Sequence, residues 1–225
     1  MTVAALLWDH DGVLVDTEEL YFEATRELMA SVGVALTSDQ YRQHLLVQGS
    51  GTWHLAAERG VSEADIQALR QQRDRRYGQL LASGDLLMPG VTGIVRTLAQ
   101  RHRMAIVTSS QRVHFDTIHR ASGLRPHFEL IVTREDYVHS KPSPEPYLTA
   151  MERMGLSPEQ CLVIEDSERG LRAATAAGIR CWVVPSSLTR GSSFAAAERQ
   201  FESLGQLAEA LRSEASTGSA VAQTR

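Results

Sequence analysis

Basic charge is not in excess in this sequence: 23 lysines and arginines stand against 27 aspartates and glutamates, for a formal net charge of -4 at pH 7. Proteins that hold nucleic acid usually carry a basic face, so no nucleic-acid partner is expected, and any phosphate ligand must be held by local groups. Cysteine is also sparse. Cys161 and Cys181 each open a short apolar run and read as small core residues, not as a disulfide or metal framework, which suits a reducing compartment. No apolar run is long enough to span a bilayer, so no membrane partner is expected. The N-terminus has no basic flank ahead of an apolar stretch with a small-residue cleavage site, and the expected location is the cytoplasm. What is present, 43% hydrophobic and 22% charged residues, belongs to a globular chain with a sizeable core.

Five short apolar runs, at residues 3–8, 104–108, 129–132, 161–164 and 181–184, read as strands. Segments with helical spacing, such as Ile94, Leu98 and Arg101, separate the later ones. This alternation predicts an α/β fold with a doubly wound parallel sheet, whose ligands sit at the carboxyl ends of the strands. Residues 17–87 break the pattern. Tyr21, Ala24, Leu28 and Val32 form one apolar face, and Ile66, Leu69, Tyr77 and Leu80 form another. Thr37 with Gln40, and Ser62 with Asp65, resemble helix-starting caps. The stretch therefore reads as an inserted helical domain in a sheet domain made of residues 1–16 and 88–212. A last amphipathic segment spans residues 201–211, and residues 213–225 are expected to form a disordered tail.

The first strand ends in Asp9, His10, Asp11 and Gly12. Alternation would aim the two acids to one side and His10 away from them, and Gly12 permits a sharp turn. Such a pair can share a cation and divide labour, one acid attacking while its partner, held protonated, moves a proton. Three later segments offer it company. Thr108, Ser109 and Ser110 end a strand with hydroxyls suited to a phosphoryl oxygen or to a helix cap. Lys141 precedes a proline that favours extended backbone at the lysine. Glu165 and Asp166 leave a hydrophobic strand, an expensive place for two acids unless they are paired or bound to a cation.

In this order the segments resemble the haloacid dehalogenase (HAD) superfamily, specifically its β-phosphoglucomutase-like and sugar-phosphate phosphatase group. The resemblance covers residues 3–185 and implies a Rossmann-like HAD core with an inserted helical cap domain. It makes Asp9 the nucleophile, Asp11 the general acid and base, Thr108 the second-motif hydroxyl and Lys141 the third-motif base. Asp9, the Asp11 main-chain carbonyl, Asp166 and, directly or through water, Glu165 would hold Mg²⁺. An acid at position 11 favours phosphate esters over halides, since a leaving alkoxide needs a proton. The implied activity is hydrolysis of a small phosphorylated metabolite, a sugar or polyol phosphate, by a monomer or homodimer.

A phosphomutase of the β-phosphoglucomutase type is disfavoured, because Tyr21 stands where that branch typically has a cap histidine. The expected substrate loop, residues 47–52, also carries no Lys or Arg for a distal phosphate. A receiver-like phosphoacceptor would place its acid on a later strand, and a degenerate binding protein would not keep all four motifs. Expected substrate contacts are Gly12 and Ser109 in the core and Glu18, Tyr21, Gln48, Gly49 and Thr52 in the cap.

Overall fold

The computed structural model describes residues 3–82, 84 and 86–222. Its strands are β1 (Ala5–Trp8), β2 (Arg103–Val107), β3 (Leu130–Val132), β4 (Cys161–Glu165), β5 (Arg180–Val183) and β6 (Arg199–Gln200). They form one sheet in the order β3-β2-β1-β4-β5-β6, every pairing parallel. β1 therefore lies at the centre, where the winding reverses, and a crevice opens beyond its carboxyl end. The expected strands are all present within a residue or two of their predicted ends. β6 is an addition: two exposed residues at the sheet edge, with no apolar pattern to announce them.

Period-two alternation divides the core between the two faces of the sheet. Leu6, Trp8, Met104, Ile106, Leu162 and Ile164 pack on one face, and Ala5, Leu7, Ala105, Val107 and Val163 on the other. The first layer is covered by α5 (Val91–Leu98), α6 (Arg112–His119) and α9 (Leu204–Ala222), the second by α7 (Glu145–Met154) and α8 (Glu168–Ala176). α9 stays helical to Ala222, past Ser213 where the sequence reading begins a disordered tail. The last part of that expected tail, 223–225, lies outside the described residues.

Between β1 and α5 run α1 (Glu18–Ala30), α2 (Ser38–Tyr41), a π-helical turn (Arg42–Val47), α3 (His54–Ala57) and α4 (Glu63–Leu81). They enclose a core of their own, in which Met29, Leu36, Tyr41, Trp53, Ile66 and Leu69 meet. The two anticipated caps form: Thr37 makes a reciprocal capping box with Gln40, and the Ser62 hydroxyl accepts from the Asp65 N–H. These helices sit against the sheet unit through Gln111 Nε2 to Asp74 Oδ2 (2.9 Å) and Arg172 Nη1 to the Val47 carbonyl (3.2 Å). Among the described residues, no helix is long and apolar enough to cross a membrane.

Candidate active site

Asp9 follows the last residue of β1 and stays in its ladder, its N–H donating to the Ile164 carbonyl at 2.8 Å. It is 8% exposed at the floor of a cavity of about 560 Å³ between the sheet and the helical insertion, a volume ordinary for small-molecule sites. Lys141 lies beneath. Its Nζ donates to Asp9 Oδ1 and Glu165 Oε1, each at 2.7 Å, and to the Val107 carbonyl at 3.0 Å. Burial alone would discharge this ammonium, but Asp9 and Glu165 outweigh it and hold the lysine protonated. Asp9 itself is pushed up to about 6 by burial and then by Glu165, against the pull of Lys141.

Asp166 completes the acidic group. Among the described residues, Asp9, Glu165 and Asp166 each place a carboxylate oxygen within 4.8 Å of the others. The Asp166 carboxyl is raised well above its ordinary range by burial, by Glu165 and by Asp9, while Thr189 Oγ1 offers only a 3.4 Å hydrogen bond. A buried acid so poorly neutralised, among hard oxygen donors, fits a divalent cation such as Mg²⁺. Gly12 makes the room: its φ is +81°, and a Cβ there would overlap the Asp166 carboxylate. Glu165 has less to give a metal. Oε1 already accepts from Lys141 and Tyr147, and Oε2 from the Asp166 and Ser167 N–H groups and the Ser167 hydroxyl.

Asp11 is held as an anion. Its Oδ1 accepts from Thr17 Oγ1 (2.5 Å), and its Oδ2 from Ser110 Oγ (2.9 Å), Thr108 Oγ1 (3.2 Å) and His10 Nδ1 (3.2 Å). Burial would raise this carboxyl, but the attraction and hydrogen bond of the His10 ring, with those of Thr17 and Ser110, keep it far below the usual carboxylate range. The expected inequality of the two acids is therefore inverted in the resting site: Asp11 is the stronger acid and Asp9 the weaker.

The other expected contacts divide. Glu18, Tyr21, Gly49, Thr52 and Ser109 line the cavity. Gln48 does not. It is exposed, and its Oε1 takes the nearby His44 Nδ1 at 3.1 Å, a local partner that draws the side chain away. Gly12 supplies space for Asp166 in place of a free N–H, because its N–H donates to the Val15 carbonyl at 2.8 Å. The Thr108 hydroxyl is fully buried and rests on Asp11. His10 does not point clear of the acids either. The strand ends at Trp8, so alternation lapses before residue 10, and the ring is buried with Nδ1 turned onto Asp11.

The residues missed from sequence are mostly cationic. Arg70 and Arg73 on α4 and Arg169 on α8 line the cavity. Arg73 stacks 4.3 Å above the Tyr21 ring and pairs with Asp74. The Nε atoms of Arg70 and Arg169 are buried without a hydrogen-bond partner among the described residues. Arg73 sits one heptad after Ile66, on the apolar stripe of α4, and a charge in that register was the signal available. The loop at 47–52 carries no basic group, but α4 and α8 place these three arginines in the same cavity as Gly49 and Thr52.

A model of the haloacid dehalogenase-like hydrolases matches residues 6–184. Protein CbbY of Rhodobacter capsulatus is 36% identical over an alignment of 220 positions that covers 92% of this chain and 96% of that protein. The fructose-1-phosphate phosphatase YqaB of Escherichia coli (strain K12) is 31% identical over an alignment of 181 positions that covers 78% of this chain and 93% of the relative. Among solved structures, a mutant CbbY from Rhodobacter sphaeroides in complex with xylulose-(1,5)bisphosphate matches with a TM-score of 0.75 at 30% identity, covering 90% of this chain and 95% of that one.

Proposed function

The chain belongs to the haloacid dehalogenase-like hydrolase family, and from that membership we propose a Mg²⁺-dependent phosphatase that acts on a small phosphorylated sugar through a phosphorylated Asp9. The observation that carries this reading is the convergence at the end of β1: a lysine-bound carboxylate, a second acid two residues on, and an under-neutralised acid cluster opening into one cavity. Fructose 1-phosphate and xylulose 1,5-bisphosphate, named with the relatives, belong to that substrate class. A cytoplasmic setting suits two buried, free cysteines.

Asp9 and Asp166, with the Asp11 main-chain carbonyl, would hold the ion, and Glu165 would serve chiefly to anchor Lys141. Bound there, Mg²⁺ supplies charge to offset the phosphoryl oxygens and keeps Asp9 ionised near neutral pH. Asp9 attacks phosphorus in line, its bond to phosphorus forming as the ester P–O bond breaks. Asp11 gives its proton to the departing oxygen and then takes one from the water that hydrolyses the acyl phosphate. The depressed acidity constant of Asp11 belongs to the resting site. An incoming phosphoryl group competes for the hydroxyls of Thr108 and Ser110, and each donor removed from Asp11 raises its affinity for a proton.

The buried Nε atoms of Arg70 and Arg169, without a hydrogen-bond partner among the described residues, suit a substrate with a second anionic group beyond the one transferred. The test of the reaction class is direct. With Mg²⁺ the purified protein should release phosphate from p-nitrophenyl phosphate, and EDTA or Asp9→Asn should abolish it. Turnover that survives either treatment contradicts the proposal.

A further inference from the structure

Behind Asp11 a line of hydrogen bonds runs into the core. The Leu124 N–H donates to Ser122 Oγ (3.2 Å), Ser122 Oγ meets His119 Nδ1 (2.7 Å), His119 Nε2 meets His10 Nε2 (2.8 Å), and His10 Nδ1 meets Asp11 Oδ2 (3.2 Å). His10 is fully buried and His119 is 8% exposed, and Phe115 packs against both rings at centroid distances of 5.2 and 4.4 Å.

The carboxylate end of this line fixes the donor that faces it. A backbone N–H can only donate and a carboxylate can only accept, while each neutral imidazole has one donor and one acceptor nitrogen. Because Asp11 accepts, His10 presents Nδ1–H to it, and one of the two facing Nε2 atoms donates to the other. His119 is neutral, held down at about 3 first by burial and then by His10.

We propose that His10 is a positioning residue for Asp11, the end of a buried hydrogen-bonded chain from Ser122 through His119 that fixes the carboxyl group carrying the leaving-group proton. The other donors on Asp11, from Thr17, Thr108 and Ser110, are hydroxyls, which rotate, and Ser110 lines the cavity where a phosphoryl group would bind. The His10 N–H cannot leave in this way, because its ring is clamped by Phe115 and His119. His10 therefore keeps Oδ2 in place and leaves Oδ1 as the oxygen that delivers the proton to the ester oxygen as the P–O bond breaks.

This inference rests on the reading of Asp11 as general acid, and the two can be tested apart. The measurement is kcat/KM with Mg²⁺ for p-nitrophenyl phosphate, whose leaving group needs no proton, and for phenyl phosphate, whose leaving group does. His10→Gln keeps an amide near His119 but loses the donor at the Nδ1 position, whereas His10→Asn retains that donor. His10→Gln should lower kcat/KM on phenyl phosphate roughly tenfold, a part of what general acid catalysis is commonly worth, and change p-nitrophenyl phosphate by less than about twofold. His10→Asn should restore the activity lost on phenyl phosphate. His119→Phe, which leaves His10 in place, should move the ratio the same way by a smaller factor and serves if His10→Gln does not fold. If Asp11→Asn itself shows no such selectivity, the assignment of Asp11 as the acid fails. If Asp11→Asn shows it while His10→Gln and His119→Phe slow both esters equally or neither, the positioning role of His10 is overturned.

Discussion

Lys141 Nζ lies 2.7 Å from Asp9 Oδ1 with its side chain 1% exposed, so the candidate nucleophile is oriented by a cation that water cannot reach. The same ammonium is shared with Glu165. The pairing explains why two acids can be buried side by side at the end of a hydrophobic sheet.

Replacing Lys141 by Met would leave Asp9 and Glu165 facing each other with no counter-charge. Removing one partner of a buried pair commonly costs about 3–5 kcal/mol, so thermal unfolding without Mg²⁺ should come well below wild type. Added Mg²⁺ should recover part of the loss, since a cation near Asp9 replaces some of the missing charge. An unchanged melting temperature would show that the pair is not what stabilises the acids.

Gly12→Ala tests the metal pocket. The added methyl overlaps the Asp166 carboxylate and must sit at φ +81°, a region that L side chains rarely adopt. The variant should need at least tenfold more Mg²⁺ for half-maximal activity and should unfold more easily, by on the order of 1–3 kcal/mol of strain. Wild-type metal dependence would remove Asp166 from the ligand set.

Glu18 gives a pH signature. Burial raises its carboxyl from an ordinary 4.5 to about 7, against the hydrogen bond from Tyr41. Between those values the folded chain keeps a proton that the unfolded chain has released, so stability falls as pH rises through that window and levels off above it. Glu18→Gln should flatten the decline by its own contribution, read from denaturant midpoints at pH 5 and pH 8. Above pH 7 the ionised Glu18 repels an anionic substrate, so the wild-type KM should rise there and that of the variant should not.

Arg70→Ala should raise KM at least tenfold for a sugar bisphosphate and leave p-nitrophenyl phosphate nearly unchanged, since the aryl ester has no second anion. Equal effects on both would place Arg70 with the transferred phosphate.

Much of this site was legible because its parts are anchored to strands. Asp9, Thr108 and Glu165 each directly follow a run of buried apolar residues, and the parallel pairing of β1 with β2 and β4 brings those ends together whatever the loops do. Gln48 was misjudged because a loop side chain chooses among local partners, and His44 was within reach. Arg70 and Arg73 were hidden by the stripe they interrupt, since a helix that is mostly apolar on one face reads as core. His10 was misplaced by an alternation that stops when β1 ends. β6, with only Arg199 and Gln200, had no pattern to read.

The central claim is that Asp9 becomes phosphorylated. Acid quench during turnover of p-nitrophenyl phosphate with Mg²⁺, followed by borohydride reduction, converts an aspartyl phosphate to homoserine, which peptide mass spectrometry can locate. Homoserine is expected at residue 9 in the wild-type protein and at no position in Asp9→Asn. Homoserine at another aspartate, or none during active turnover, would contradict the account.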